Sequence, residues 1–365
     1  MKDQQQLSAG QMSFLFFTFI TGSNILTIPG PLIGFAQNGS WLSVLLSLVN
    51  GILLLAGVIF LYRKFPQFNL IEYSRKLVGK WLTLIFAVPF IFMQLHSTSG
   101  IVLDVGLFMT TSMMRETPLY VFNLLIFLVV ALTVRSGIEN FSRMFAMLMM
   151  TVILSVMVIV FLASANYHPK YLVPVLPDGF KPVLLGTYFY YGVPISELVL
   201  FTMLLPYVRR EEHHFLKKGM FLALIVNHLI IIIVTLSTLM TFGPIAGERA
   251  YSMFEVARTI DLYEVVQRVE SIVGYSLVIS NYLKAAISLY ILNITITYLF
   301  KLKDNRILIF PLTLVCFLFS MIQISLGQAR WVNAVTIIEP LWKALSYILP
   351  LLILTLTAIL RKNRE

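Results

Sequence analysis

Two charged side chains, Glu197 and Lys284, stand in the middle of long apolar segments of this sequence. A lone charge in a bilayer core is strongly unfavourable, and neither side chain can easily reach the membrane surface. The pair therefore predicts either an ion pair between the two or a contact with a charged ligand, and both groups could titrate. A third interpretation stays open, in which the Lys284 amine reaches wet surroundings between helices and contacts nothing in particular.

A further polar group lies on the third apolar segment, where helical spacings of three and four bring side chains to one face. Its members are Met93, His96, Ser97, Gly100 and Asp104. Asp104 lies near the end of the segment and is interpreted as a wet or capping residue. His96 fits a packing role as well as a binding role.

Further polar residues lie near Lys284 in the eighth segment and within the seventh segment. Ser280 and Ser288 lie one helical turn on either side of Lys284. His228, beside Asn227, is interpreted as a packing residue whose hydrogen bonds are satisfied within the protein.

Residues that weaken a helix interrupt two of the apolar segments. The interruptions are Thr21-Gly22-Ser23-Asn24 with Pro29-Gly30-Pro31 in the first segment, and Tyr190-Tyr191-Gly192-Val193-Pro194 in the sixth. Backbone freed by a break is tolerated at membrane depth only when it is buried in protein or lines a polar cavity. An ordinary kink would explain one interruption, but paired interruptions predict a ligand site at the membrane midplane.

The composition requires lipid around these segments. The chain is 58% apolar and only 12% charged, whereas soluble proteins are about half apolar and about one quarter charged. The net charge of +10 lies in short connectors between apolar segments, a pattern that favours a membrane protein over a nucleic-acid-binding one. No signal peptide is recognisable, so we expect the first apolar segment to be a permanent anchor.

About 20 apolar helical residues are needed to cross a bilayer, and this criterion predicts ten spans. The predicted spans are 11–36, 41–62, 81–113, 118–134, 141–163, 184–207, 218–242, 270–300, 307–326 and 338–360. Lys and Arg number 18 in the segments placed inside and 8 in those placed outside, with Lys343 counted as outer. The asymmetry predicts cytoplasmic amino and carboxyl termini.

The sequence thus predicts an all-α integral membrane protein of ten spans in a single domain, 1–365. Its halves, 11–163 and 184–360, hold five spans each and would be inverted relative to each other, with breaks at matching positions. Within the outer segment 243–269, apolar residues recur at helical spacing, which predicts either a short amphipathic helix on the outer surface or a simple connector. No motif of a catalytic, metal-binding or cofactor-binding site is present.

Several motifs, in order, resemble the B subunits of nutrient germinant receptors of bacterial spores. They are Gly22-Ser23-Asn24-Ile25-Leu26-Thr27-Ile28-Pro29, Gly79-Lys80-Trp81, Glu116-Thr117-Pro118, Leu204-Leu205-Pro206-Tyr207 and Arg268-x-Glu270-Ser271. The resemblance covers essentially the whole chain and places it in the amino acid–polyamine–cation transporter superfamily. Ser23-Asn24 and Lys284 depart from the family pattern, in which smaller or neutral residues are expected.

This resemblance implies a nutrient sensor of the spore inner membrane that binds a small molecule, with an amino acid expected, and acts with A and C subunits. It places the ligand among the first, third, sixth and eighth spans. The site residues are then Thr21, Gly22, Ser23, Asn24, Met93, His96, Ser97, Gly100, Tyr191, Gly192, Val193, Pro194, Glu197, Lys284 and Ser288. No cofactor or metal is expected. The alternatives are a proton-coupled amino-acid permease and a scaffold or ion-conducting component that binds no nutrient.

Overall fold

The computed structural model describes residues 6–260, 269–325 and 327–362. These ranges are almost entirely helical, and their only strand-like pairing is an isolated bridge between Leu7 and Val208. Nine segments of the described chain are helices long and apolar enough to cross a membrane. Together with the first span, which is broken within its length, the described chain has ten spans. The predicted all-α membrane fold is confirmed.

The helices follow the predicted order closely. The first span consists of Ala9–Thr21, Asn24–Thr27 and Pro29–Ala36, and the sixth of Lys181–Tyr190, Tyr191–Ile195 and Ser196–Met203. The others are Ser40–Lys64, Leu70–Phe108 continued by Met109–Met113, Leu119–Ser136, Ile138–Leu162, His213–Phe242, Glu270–Phe300, Ile309–Ser325, and a tenth span from Gln328 to Lys362.

Both predicted breaks are present, and side chains satisfy the backbone that they free. At the first break, the Ile20 carbonyl accepts hydrogen bonds from the amides of Asn24 (2.8 Å) and Asn227 (3.2 Å). At the second, the helix widens over Tyr191–Ile195 and then tightens over Ser196–Met203. Pro194 lies at this change of pitch because it offers no backbone N–H.

Two predicted boundaries were wrong. The tenth span begins at Gln328 and not at 338, because polar Gln328, Arg330 and Asn333 dilute the apolar pattern of its first turns. The third helix begins at Leu70, where Asn69 and Glu72 form a capping box. Gly79, with φ of 84°, separates this surface portion from the membrane span.

The eighth span, Glu270–Phe300, lies at the centre of the bundle and is buried along most of its length. It packs against the third, fourth and fifth spans, and the first helix packs against the seventh and fifth. The broken segments of the first and sixth spans therefore lie inside the protein, as the bilayer requires of irregular backbone.

A short helix, Ser252–Arg258, occupies part of the predicted amphipathic segment 243–269. Its apolar side chains Met253 and Val256 are fully buried against the first, seventh and eighth spans. The helix therefore covers the protein interior, and the expectation that it lies on the membrane surface was wrong for this part. Residues 261–268, including Arg268 of the last family motif, are outside the described residues.

The connectors assigned to the inner side meet on one face of the molecule. The Leu7 backbone pairs with Tyr207 and Arg209 at 2.9 and 3.0 Å. Arg75 donates to the carbonyls of Tyr298 and Leu299. On the opposite face, Gln37 donates to Asp178 at 2.9 Å. The predicted grouping of connectors into two faces therefore agrees with the three-dimensional arrangement.

Candidate functional site

A cavity of about 480 Å³ lies between the first, third, sixth, eighth and tenth spans. It extends from the two helix breaks to the connector that contains Arg249 and Tyr251. Its volume lies within the range of pockets that enclose small molecules, about 300–1,000 Å³. Its walls combine aromatic and aliphatic surface with a few charged and hydroxyl groups.

Four charged side chains form one connected network at the buried end of the cavity. The Glu197 carboxylate lies 3.0 Å from Lys284 Nζ and 2.7 Å from Lys343 Nζ. Lys343 also pairs with Glu339 at 2.9 Å, one helical turn earlier on the same span. All four side chains are at most 8% exposed. The predicted contact between Glu197 and Lys284 is present, but it belongs to a larger cluster.

The network is electrically neutral and joins three spans. Two carboxylates balance two ammonium groups, so each buried charge has an opposite neighbour, which is the condition for tolerating charges at membrane depth. Glu197 belongs to the sixth span, Lys284 to the eighth, and Glu339 and Lys343 to the tenth. A shift of any one of these spans would alter the distances between charges in the others.

Neutral polar groups complete the network. The Ser97 hydroxyl donates to Glu339 Oε1 at 3.1 Å, and the Lys284 amine donates to Asn24 Oδ1 at 3.4 Å. His96 Nδ1 lies 3.9 Å from the same Glu339 oxygen. The third span and the first break are thus connected to the same charged cluster.

The glycines at the breaks allow close helix contacts. A side chain at Gly22 would meet Lys284 Cβ at 3.2 Å and the Ser280 carbonyl at 3.3 Å. One at Gly192 would overlap the Pro340 ring. These glycines bring the backbone of the first and sixth spans against the eighth and tenth spans, and so position the charged network.

About half of the predicted site residues line the cavity. The wall includes Ser23, Asn24, Ser97, Gly100, Val193, Glu197 and Lys284. Thr21, Gly22, Met93, His96, Tyr191, Gly192, Pro194 and Ser288 lie around it without forming its surface. Among these, Thr21 accepts from Asn227 at 3.0 Å, and Ser288 contacts Gln94 and Thr98 at 2.8 and 2.7 Å.

The structure adds wall residues that the sequence prediction missed. Lys343 and Glu339 belong to the buried network, although Lys343 was counted as an outer residue; that assignment was wrong. The missed signal was a carboxylate and an amine four residues apart within an apolar segment. Asp104, expected to be a wet or capping residue, lines the cavity, as does Trp331.

His228 is buried as a packing residue would be, but the prediction that its hydrogen bonds are satisfied was wrong, because its ring Nε2 has no hydrogen-bond partner among the described residues. Its ring Nδ1 contacts the Leu224 carbonyl of its own helix at 2.8 Å, and the residue is 1% exposed. Among the described residues, no three side chains of His, Cys, Asp or Glu come together as metal ligands would. The groups on the cavity wall can form ion pairs, hydrogen bonds and apolar contacts with a ligand.

Comparison with known proteins gives the chain its relatives. The model of a family described as spore germination protein matches residues 6–328. Spore germination protein KB of Bacillus subtilis (strain 168) is 25% identical over 368 residues, which cover 100% of this chain and 97% of that protein. Spore germination protein YndE of the same organism is 25% identical over half of each chain.

Solved structures of transporters share the fold. MhsT in complex with L-phenylalanine superimposes with a TM-score of 0.71 at 13% identity, covering 97% of this chain and 99% of that one. A Na⁺-coupled sialic acid symporter gives 0.69 at 10% identity, covering 95% and 79% of the two chains. A manganese transporter from Eremococcus coleocola gives 0.65 at 12%, covering 96% and 82%. At such low identity these likenesses concern the fold alone.

Proposed function

This chain belongs to the spore germination protein family, and we propose that it is the membrane subunit of a germinant receptor that binds a small nutrient in the central cavity. The observation that carries this proposal is the position of the cavity. It lies where the breaks of the first and sixth spans meet a buried charged network. Membership of the family points to a role in spore germination, and the cavity is the proposed site of nutrient binding.

An amino acid is the nutrient that we propose. The cavity wall carries carboxylates, which can match the ammonium group of an amino acid. A protein of the same fold was solved with L-phenylalanine bound. The remaining predicted site residues, from Thr21 to Ser288, would support the wall residues and hold the breaks in place.

Nutrient binding would act through the charged network. A ligand that approaches Glu197 or Lys284 interacts differently with the arrangements that the sixth, eighth and tenth spans can adopt. Such a difference in affinity is what shifts a conformational equilibrium. The A and C subunits would receive this shift in the spore inner membrane, with both termini of this chain in the cytoplasm.

A cavity-filling substitution tests the site. The Val193→Trp variant places a large ring on the cavity wall, whereas Val158→Trp places the same ring on the fifth span, where Val158 is 41% exposed. Binding of the twenty amino acids and glucose to purified protein in nanodiscs is measured by isothermal titration calorimetry. We expect Val193→Trp to abolish binding and Val158→Trp to retain the parent affinity. Unchanged binding by Val193→Trp would contradict the assignment.

Uptake measurements separate receptor from permease. Proteoliposomes that contain the parent protein are incubated with the radiolabelled nutrient that it binds, with and without an imposed proton gradient. A receptor is expected to bind without accumulating the nutrient. Gradient-dependent accumulation would identify a permease, and absence of binding to the parent protein would favour the scaffold.

A further inference from the structure

We infer that the ligand of the central cavity carries a cationic group, and that the Asp104 carboxylate, flanked by Trp331 and Tyr251, receives it. This inference rests on the proposed nutrient binding and specifies its chemistry. Asp104 lies on the third span, in the part of the cavity between the charged network and the connector with Arg249 and Tyr251. Asp104 would determine specificity by requiring a positive charge on the nutrient.

All basic side chains on the described cavity wall already have acidic partners. Lys284 pairs with Glu197, Lys343 pairs with Glu197 and Glu339, and Arg249 lies 3.5 Å from Glu255. A ligand carboxylate would therefore have to compete with a carboxylate of the protein at each of them. The wall offers no free cation among the residues that the structure describes.

Two acidic side chains on the same wall have no such partner. No basic group in the described ranges lies within 4 Å of the carboxylates of Asp104 or Glu248. Glu248 is exposed at the outer end of the cavity, whereas Asp104 is partly buried within it. The Asp104 side chain has a hydrogen bond to Trp331 but no cationic partner in the described ranges. Such a partly buried charge is unfavourable when the cavity is dry, and a cationic ligand would relieve that penalty.

Aromatic rings stand beside this carboxylate. Gly100, one turn before Asp104, permits a close approach of Trp331, since a side chain there would meet Trp331 Cη2 at 2.6 Å. The indole ring consequently lies against the third span, and its N–H donates a hydrogen bond to the Asp104 side chain. Tyr251 donates its hydroxyl to the Asp104 carbonyl at 3.2 Å.

A carboxylate among aromatic rings is suited to a cation. The faces of Trp and Tyr attract ammonium and guanidinium groups, and a carboxylate supplies a charge-assisted hydrogen bond. A sugar or a carboxylic acid without an amine would leave the Asp104 charge unmatched. The combination therefore selects amines, including the ammonium group of an amino acid.

Matched analogues test the charge requirement on the unaltered protein. L-Leucine, 3-methylbutylamine and 4-methylpentanoate share a side chain and differ in the amine and the carboxylate. Titration calorimetry of the full chain in nanodiscs is expected to show binding of the first two and at least tenfold weaker binding of the third. Equal binding of 4-methylpentanoate and the amine, or preference for the acid, would overturn the inference. If leucine is not the preferred amino acid, the same three analogues of the preferred one are used.

Substitutions then locate the site. Asp104→Asn keeps the size of the side chain and removes its charge, and is expected to weaken amine binding by about ten- to a hundredfold. Glu116→Gln, in an exposed connector away from the cavity, is the control and should retain the parent affinity. Unchanged amine affinity in Asp104→Asn would overturn the assignment to this residue.

The outcomes distinguish the inference from the function on which it rests. If Asp104→Asn does not fold, Trp331→Leu replaces it, with a selective loss of amine affinity expected and partial recovery in Trp331→Phe. Binding of glucose or of acids without amines would leave nutrient binding standing and refute the cationic requirement. A parent protein that binds none of the amino acids, amines, acids or glucose would refute both.

Discussion

The members of the charged network differ in how many oppositely charged partners they have, and this difference determines how the protein responds to single substitutions. Lys284 has Glu197 as its acidic partner within 4 Å among the described residues, whereas Glu197 contacts two amines and Lys343 contacts two carboxylates. Removal of Lys284 leaves Glu197 paired with Lys343. Removal of the Glu197 charge leaves the Lys284 amine without an acidic partner within 4 Å among the described residues.

We therefore predict that Glu197→Gln destabilises the protein more than Lys284→Met. Loss of one partner from a buried pair typically lowers stability by about 3–5 kcal/mol when the other charge is left alone. Thermal unfolding of the purified variants in the same detergent measures the difference. Equal losses, or a larger loss for Lys284→Met, would contradict the pairing seen in the structure.

The double variant, Glu197→Gln with Lys284→Met, tests the coupling between the two residues. It restores electrical neutrality because Lys343 and Glu339 remain paired. We predict that it unfolds at a higher temperature than Glu197→Gln alone. Additive losses would show that the two residues act independently.

The sequence allowed the Glu197–Lys284 contact to be predicted but not its neighbours. Both residues lie in mid-span, so the penalty for an unpaired charge pointed to each of them directly. Lys343 and Glu339 were not predicted as members of the network because the apolar pattern placed them at the start of the tenth span, where a basic residue can reach water. The helix Gln328–Asn333 extends the tenth span towards its start, and this extension places Lys343 and Glu339 within the span.

At the level of the helices, the contact between the sixth and tenth spans depends on a glycine. A methyl group at Gly192 would overlap the Pro340 ring. One at Gly57, in the second span, would lie 3.8 Å from the nearest atom, in Leu351. The same substitution at these two positions therefore separates crowding from helix propensity.

We predict that Gly192→Ala lowers stability by about 1–3 kcal/mol because it overpacks the contact. Gly57→Ala should be neutral or stabilising by up to about 1 kcal/mol, since alanine favours a helix. Thermal unfolding in detergent compares both with the parent protein. A stabilising effect of Gly192→Ala would show that the spans are not in close contact.

The breaks could be predicted from Gly and Pro, whereas their geometry could not. The widened turn at Tyr191–Ile195 and the tight turn at Ser196–Met203 depend on tertiary contacts of the sixth span with the tenth. Likewise, the predicted amphipathic character of 243–269 was recognisable, but the pattern did not reveal whether its apolar side faced lipid or protein. For Ser252–Arg258 the protein supplies the partner.

For the whole molecule, the grouping of connectors on two faces follows from how charge is distributed along the chain. With Lys343 now placed in the membrane core, 18 basic residues remain on the proposed inner face and 7 on the outer face. Anionic lipids and the positive-inside tendency favour the basic face in the cytoplasm. The two five-span halves, 11–163 and 184–360, remain a proposal that matches the paired positions of the breaks.

This orientation predicts the outcome of cysteine labelling. The natural Cys316 is fully buried and is replaced by serine to give a cysteine-free background. A membrane-impermeant maleimide applied to intact cells should label cysteines introduced at the exposed positions Glu116 and Asp178, but not one at Gln67 until the membrane is permeabilised. Asp178 and Gln67 lie on opposite faces because the first pairs with Gln37 at the outer end of the first span, whereas the second belongs to the connector after Lys64. Labelling of Gln67→Cys in intact cells would show that the orientation is the reverse of the one proposed. The connector with Arg249 and Tyr251, and the end of the cavity beside it, would then lie on the cytoplasmic side.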